Sequence, residues 1–144
     1  MKALGIILAG GNNSRMQELS NKRAIAAMPV GGSYRCIDFA LSNMSNSHIQ
    51  RVAVLTQYNA RSLNEHLSSS KWWDFGRKQG GLYVFNPTVT SDNAWWYRGT
   101  ADAMLRNIDF LKRSHEPYVI IASGDCVYKM DYNKVLEFHI EKKA

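Results

Sequence analysis

The sequence has only two cysteines, no long apolar run and no excess of acidic residues. Cys36 and Cys126 are too few for a disulfide framework and lack metal-ligand spacing, so we expect reduced thiols and a cytosolic protein. No uninterrupted apolar run approaches the ~20 residues that cross a bilayer, which argues against a membrane partner. The apolar run at residues 4–9 is too short for the core of a signal peptide.

The positive charge is unevenly placed along the chain. The formal net charge is +6, and residues 1–37 hold five basic residues against the single acidic residue Glu18. The basic residues of this segment are Lys2, Arg15, Lys22, Arg23 and Arg35. This local excess favours an anionic ligand. Nucleic acid is disfavoured, because no basic helix face, zinc-ligand pattern or RNA-recognition aromatic motif is present.

The most informative stretch is an apolar segment that ends abruptly in glycine. Residues 4–8 predict a short strand buried on both faces, and Gly10-Gly11 follows it directly. Glycine lets a ligand approach the backbone closely, while Arg15 adds a fork of donors, so the loop suits a polyphosphate. The alternative is an ordinary turn with a solvated arginine. The loop has neither the Walker ending nor the Gly-x-Gly-x-x-Gly spacing of dinucleotide-binding proteins.

The remaining pattern alternates strands and helices. We predict further strands at residues 51–56, 82–85 and 118–122, helices at 37–47 and 60–68, and an amphipathic helix at 133–143. One continuous helix is predicted from an N-cap at Thr100, with an apolar stripe through Leu111, and Glu116-Pro117 closes it. Residues 88–93 are predicted to form a mobile loop. The 144 residues suit one domain. Such alternation predicts an α/β fold with a mostly parallel sheet.

Two stretches at strand and helix ends are candidates for ligand binding. Gln57 follows the second strand, at the sheet edge that faces the ligand crevice in open parallel sheets. Gly99-Thr100 begins a helix beside three aromatic residues, and this helix start could hold a purine or a phosphate. The alternative for the second stretch is a capped helix with packed tryptophans.

Two aspartates and the histidines complete the candidates. Asp125 lies just beyond a buried strand and after a glycine, where a carboxylate can hold Mg²⁺. It could equally cap the next turn. Asp38 is either a site residue or only a charge at the start of a helix. The four histidines are scattered along the chain and are expected to serve packing or the surface.

Beyond these patterns, the residues resemble a known enzyme family. Leu8-Ala9-Gly10-Gly11 with Arg15 resembles the sugar-phosphate nucleotidyltransferases. Four longer stretches, at residues 31–43, 55–58, 96–103 and 124–132, resemble glucose-1-phosphate adenylyltransferase (ADP-glucose pyrophosphorylase) of bacterial glycogen synthesis. The resemblance runs almost end to end and implies a Rossmann-like (GT-A-like) sheet.

The resemblance also implies a reaction and a set of site residues. The family joins ATP and α-D-glucose 1-phosphate into ADP-glucose and releases pyrophosphate, with Mg²⁺ as cofactor. It implies that Arg15 and Asp125 are catalytic and that Asp125 binds the metal. The nucleotide-binding residues that it implies are Leu8, Ala9, Gly10, Gly11, Gln57, Gly99, Thr100 and Ala101.

Several residues depart from the family pattern. Asn13 and Ser14 replace a glycine and a threonine in the loop, Ile25 replaces a lysine, and Cys126 replaces the usual histidine. These departures resemble the divergent second subunit of the enzyme found in some bacteria. That subunit assembles with a homologous catalytic subunit, and we expect the resulting hetero-oligomer to be a tetramer. We therefore predict a regulatory, catalytically weakened chain. The alternatives are a pure assembly subunit without chemistry and an active enzyme that uses another nucleotide and sugar.

Length gives a last expectation. Domains of this family continue past 144 residues and lead into a C-terminal β-helix, so residues 1–144 are expected to be the N-terminal portion of a nucleotidyltransferase domain. An uncovered sheet edge would then favour dimerisation.

Overall fold

The computed structural model describes residues 2–11, 14–69, 73, 75, 80–87 and 96–144. The strands are β1 (Ala3–Ala9), β2 (Pro29–Val30), β3 (Tyr34–Arg35), β4 (Arg51–Thr56), β5 (Gly81–Phe85) and β6 (Tyr118–Ser123). The helices are α1 (Cys36–Asn46), α2 (Arg61–Ser68), α3 (Thr100–Arg106), α4 (Ile108–Ser114) and α5 (Tyr132–Lys142). Two short 3-10 helices span Ser14–Leu19 and Ile25–Ala27.

Four strands form one parallel sheet, which confirms the predicted fold class. Their order is β5-β4-β1-β6, with β1 between β4 and β6. The chain moves outward from β1 through β4 to β5, and then crosses to the other side of β1 to form β6. This reversal creates a crevice at the carboxyl ends of β1 and β6, where open α/β sheets bind ligands.

The register brings three strand ends to one edge. Ala9 lies opposite Thr56, and Leu8 lies opposite Ser123. The residues that follow each strand are therefore neighbours in space, although more than 40 positions separate them along the chain. The sheet thus brings the glycine loop, Gln57 and Asp125 to the same crevice.

The central strand is buried on both of its faces, as its composition predicts. Leu4, Ile6 and Ile7 have no exposed surface. On one face, Ile7 packs in a cluster with α1 and α2, in which Leu63 and Leu67 point inward. On the other face, Ile6 packs with residues of β4, the segment before α3, and α3. This burial explains the unbroken apolar run.

The predicted continuous helix after Thr100 is wrong in two respects. It begins one residue earlier, with Gly99 as N-cap and no side-chain cap, and it breaks at Asn107 into α3 and α4. The Asn107 side-chain amide donates to the carbonyl of Ala103 (2.8 Å). The Asn107 backbone N–H donates instead to the carbonyl of Met104 (3.1 Å). The side chain thus takes the carbonyl that a regular helix gives to the backbone.

Other differences are smaller. Residues 29–35 form a β2–β3 hairpin, in which Gly31 and Gly32 adopt φ of +59° and +93°. In α5, Leu136 is buried, but Phe138 is 61% exposed, so much of the predicted apolar face of this helix is uncovered.

The predicted mobile loop at 88–93 lies outside the described residues. No helix in the described ranges is long and apolar enough to cross a membrane. Dimerisation through a sheet edge stays a prediction.

The glycine before β5 gives a stability prediction. A methyl group on Gly80 would meet the carbonyl oxygens of Gln50 and Phe75, the latter at 2.7 Å, and both are backbone atoms that cannot step aside. We expect Gly80→Ala to lower the free energy of unfolding by about 1–3 kcal/mol, measured by urea denaturation. Gly11→Ala is the control, since no atom of the described residues lies within 4 Å of its added methyl group. Equal stability of the two variants would show that a methyl group on Gly80 does not clash with these carbonyl oxygens.

Candidate functional site

A cleft of about 470 Å³ lies at the carboxyl ends of the parallel strands. It draws on the loops that follow β1, β4 and β6 and on the start of α3. The residues that line it are Leu8, Gly10, Gly11, Leu55, Thr56, Gln57, Tyr58, Tyr97, Arg98, Gly99, Thr100, Ala103, Ser123 and Asp125. Seven predicted site residues meet here: Leu8, Gly10, Gly11, Gln57, Gly99, Thr100 and Asp125.

Gly10 and Gly11 have different roles in the floor of the cleft. A methyl group on Gly10 would stand 3.0 Å from Gln57 Cβ, so the absence of a side chain lets the β1 and β4 loops pack together. Gly11 faces space that no described residue fills, which leaves room for a ligand against its backbone. Ala9, also predicted to bind nucleotide, is 5% exposed and does not line the cleft.

Gln57 is held in one orientation by the segment before α3. Its Nε2 donates to the backbone carbonyl of Tyr97 at 2.9 Å. Tyr97 is itself buried, and its hydroxyl accepts a hydrogen bond from Asn107 (3.2 Å). Since a carbonyl accepts only from the amide nitrogen, the orientation of the Gln57 side chain follows from this contact.

The start of α3 forms one wall of the cleft. Gly99 and Thr100 line the cleft, whereas Ala101 is exposed and lies outside the lining. Asp102 accepts a hydrogen bond from the backbone N–H of Arg98 (2.9 Å) and pairs with Arg106 (3.0 Å). The Arg98 N–H, together with the Arg106 guanidinium, lowers the pKa of Asp102 below its usual value. These contacts stabilise the turn that enters α3.

Asp125 stands at the end of β6 with one carboxylate oxygen engaged. The Ser123 hydroxyl donates to its Oδ1. The preceding Gly124 is fixed to β1, because its N–H donates to the carbonyl of Leu8 at 2.9 Å. No donor to Oδ2 is found in the part of the chain that the structure describes. An exposed carboxylate with one engaged and one available oxygen fits a cation that takes its other ligands from phosphate and water.

The described residues contain no group of three or more His, Cys, Asp or Glu that could hold a metal by itself. A Mg²⁺ ion here would need ligands from a bound phosphate, which agrees with the usual coordination of this ion by one or two carboxylates plus substrate. The residues present therefore fit Mg²⁺ as a partner of a nucleotide. Mg²⁺ binding stays a prediction.

The two cysteines differ in burial. Burial, with the carboxylate of Asp125, raises the pKa of the Cys36 thiol, whereas Cys126 is exposed. Because the thiolate is the reactive form, we expect iodoacetamide at neutral pH to modify Cys126 at least 10-fold faster than Cys36. Peptide mass spectrometry measures both rates, and the unfolded chain serves as the control in which the difference disappears. Rapid labelling of Cys36 in the folded protein would contradict its burial.

Some predicted residues are not placed in the cleft. The side chain of Arg15 and all of Asn13 lie outside what the structure describes. The Arg35 guanidinium turns to α2, where it donates to the carbonyl of Ser62 at 2.7 Å. Ile25 is buried and begins the 3-10 helix Ile25–Ala27. The methyl group of the next residue, Ala26, lies 3.3 Å from the position that a side chain on Gly124 would take.

Asp38 belongs to a different cavity. Its carboxylate accepts a hydrogen bond from the backbone N–H of Arg35 (2.8 Å), which confirms its position at the start of α1. Its other oxygen lies 2.6 Å from Nε2 of His66. This pair lines a separate cavity of about 560 Å³, which shares no lining residue with the cleft. The predicted packing role of histidine agrees with His66, which is edge-on to Trp73.

Comparison with known proteins now decides the family. The model of the family described as "Nucleotidyl transferase" matches residues 4–144. The chain belongs to the nucleotidyl transferase family. The predicted resemblance is also confirmed at the level of individual proteins. The chain is 47% identical to the glucose-1-phosphate adenylyltransferase of Clostridium novyi and 50% identical to that of Clostridium kluyveri, each over 98% of this chain.

The nucleotidyl transferase chain spans a little over one third of these relatives, 37% of each. A relative from Fusobacterium nucleatum, also a glucose-1-phosphate adenylyltransferase, is 47% identical over 99% of this chain and 38% of its own length. The fold is shared with a crystal structure of a protein assigned as a glucose-1-phosphate thymidylyltransferase from Bacillus anthracis. That structure gives a TM-score of 0.73 at 21% identity, over 98% of this chain and 52% of the other.

Seven cleft residues were missing from the predicted site residues: Leu55, Thr56, Tyr58, Tyr97, Arg98, Ala103 and Ser123. Each is adjacent to, or two positions from, a predicted residue, so the signal was their place at the end of a strand or the start of a helix. Tyr58 also stacks on Trp96, with ring centroids 5.1 Å apart and an angle of 7° between the planes. This stack joins the loop after β4 to the segment before α3.

Proposed function

We propose that this nucleotidyl transferase chain forms the nucleotide-binding part of an enzyme of glycogen biosynthesis that makes ADP-glucose. The substrates are ATP and α-D-glucose 1-phosphate, and the second product is pyrophosphate. The observation that carries the proposal is the convergence of Gly10-Gly11, Gln57, Gly99-Thr100 and Asp125 on one cleft. The chain's identity of about one half to glucose-1-phosphate adenylyltransferases supports this choice of substrates.

Each wall of the cleft has a part in holding ATP. The backbone of Gly11, which faces space that no described residue fills, receives the phosphates. Gln57 keeps its Oε1 and its second N–H for the adenine edge, because only one of its two N–H groups is taken by Tyr97. The cation of Arg98, on the cleft lining, adds positive charge near the phosphates or the ribose.

The reaction is a phosphoryl transfer in which little covalent chemistry falls to the protein. A phosphate oxygen of glucose 1-phosphate bonds to the α-phosphorus of ATP, and the bond from that phosphorus to the bridging oxygen breaks, releasing pyrophosphate. Mg²⁺, when bound, neutralises charge that develops on the phosphate oxygens. Asp125 supplies the carboxylate ligand, and the glycine loop and Gln57 orient the nucleotide for in-line attack.

We propose further that the chain is regulatory and catalytically weakened, and that it assembles with a homologous catalytic subunit. Support comes from Ile25, which is apolar and buried where the family has a lysine, and from Cys126 beside the metal carboxylate. Without that lysine the site lacks one cation to pair with the phosphates. Loss of such a cation costs on the order of 10²–10³ in rate.

The test is pyrophosphate release by the intact protein alone, with ATP, glucose 1-phosphate and Mg²⁺. We expect low turnover that rises when a homologous catalytic subunit is added. Rapid turnover by the protein alone would refute the weakened role and leave an ordinary enzyme. Substituting dTTP or UTP for ATP tests the nucleotide, and a faster reaction with either would overturn the choice of ATP. Tight ATP binding without any turnover would favour the pure assembly subunit.

A further inference from the structure

We propose that Asn43, on α1, is a positioning residue for the Asp125 carboxylate. This inference rests on the proposed metal role of Asp125. Asn43 does not line the cleft, and it lies 82 positions from Asp125 in the sequence. Its side chain nevertheless holds the segment that leaves Asp125, through contacts that no role in nucleotide binding explains.

The side-chain amide of Asn43 binds the backbone as a peptide group of a neighbouring strand would, with one donor and one acceptor. Its Nδ2 donates to the carbonyl of Tyr128 (3.0 Å), and its Oδ1 accepts from the backbone N–H of Met130 (3.1 Å). A carbonyl and the N–H two residues later point to the same side of an extended chain, so one side-chain amide can bind both. Four residues further on, at the C-cap of α1, the hydroxyl of Ser47 accepts from the N–H of Tyr132 at 2.9 Å.

The side chains that make these contacts are buried and rest on a rigid support. Asn43 is 4% exposed and Ser47 is 2% exposed, so the α1 end of each bond is sheltered from competing water. The neighbouring Met44 is fully buried, and its sulfur packs against β1 so closely that a methyl group on Gly5 would stand 2.9 Å from it. The segment from Tyr128 to Tyr132 is therefore tied through α1 to the central strand.

Asp125 thus lies between two fixed points. On one side Gly124 is bonded to Leu8, and on the other Tyr128 is bonded to Asn43. The bond at Gly124 fixes the place where Asp125 begins, but it leaves the backbone dihedral angles of Asp125 free. Three residues span at most about 11 Å, so the anchor at Tyr128 restricts these angles and with them the direction of the carboxylate. Removing that anchor is expected to weaken metal binding without touching any ligand atom.

The experiment measures binding of Mn²⁺ to the intact protein by electron paramagnetic resonance, with the metal alone and with one equivalent of ATP. Asn43→Asp and Asn43→Ser both remove the donor to Tyr128, the second without adding charge. We expect each to raise the apparent dissociation constant of Mn²⁺ about 10-fold. Asn46→Asp is the matched control, because Asn46 is exposed on the same helix, and it should leave the constant unchanged.

The outcomes separate three explanations. If the Asn43 variants only reduce the folded fraction, seen by circular dichroism, while the folded protein keeps its Mn²⁺ affinity, Asn43 is structural and the inference is overturned. If Asp125→Asn weakens Mn²⁺ binding and the Asn43 variants do not, the inference fails and the proposed metal role stands. If Asp125→Asn itself has no effect, the metal role fails and the inference falls with it.

Discussion

Replacing Asp125 by asparagine is expected to reduce pyrophosphate release about 10³-fold, equivalent to ~4 kcal/mol of transition-state stabilisation. Asparagine keeps the size of the side chain and can still accept from the Ser123 hydroxyl, but it loses the negative charge that a divalent cation requires. The measurement is turnover at saturating Mg²⁺ in wild type and in the Ile25→Lys variant, where the expected higher rate makes the loss easier to detect.

Asp131→Asn is the matched control for this loss of charge. Asp131 is exposed six positions away, and its carboxylate caps α5 by accepting from the backbone N–H of Asn133 at 2.9 Å. Asparagine caps a helix about as well as aspartate, so both stability and turnover should be kept. Similar activity in Asp125→Asn and Asp131→Asn would remove Asp125 from the chemistry. A drop in both would point to net charge and not to a metal ligand.

The sequence predicts those parts of the site that depend on strand ends. The unbroken apolar run at β1 indicates a central strand, and the ends of such strands meet at one sheet edge, so Gly10, Gln57 and Asp125 could be assigned without coordinates. The contact between Gly10 and Gln57 could not, because it depends on the register of β1 with β4. Alternation of apolar and polar residues can fix a register, but β1 and β4 are buried on both faces and carry no such alternation.

The errors have a similar cause. The apolar spacing of Met104, Ile108 and Leu111 predicts one helix, but Asn107 breaks it by bonding backward to Ala103 and sideways to Tyr97. The sideways partner exists only because the segment before α3 folds over β4. The amphipathic pattern of α5 likewise predicts a buried stripe, whereas Phe138 stays exposed. Local periodicity indicates which residues can be buried, and tertiary packing decides which ones are.

The second large effect is expected from Ile25→Lys, which should raise turnover about 10–100-fold, or ~1.4–2.7 kcal/mol. Ile25 is 9% exposed, and the methyl group of the next residue, Ala26, lies 3.3 Å from the position of a side chain on Gly124. A lysine here starts one residue from Ala26, which packs against Gly124 between the cleft residues Ser123 and Asp125. Its stem can follow the apolar surface while the ammonium group reaches the phosphates. A cation that pairs with charge developing in the transition state should raise kcat and kcat/KM together.

Ile25→Met controls for the length and flexibility of the new side chain, because methionine is unbranched and uncharged. It should leave turnover at the wild-type level, so that a gain confined to lysine is assigned to the charge. Lysine at a buried position should also lower the free energy of unfolding, by about 1–3 kcal/mol, which a melting curve measures. A stable lysine variant with no gain would show that the missing lysine does not explain low turnover, and it would favour the assembly subunit without chemistry. The departure at Cys126 would then be the next position to restore, as Cys126→His.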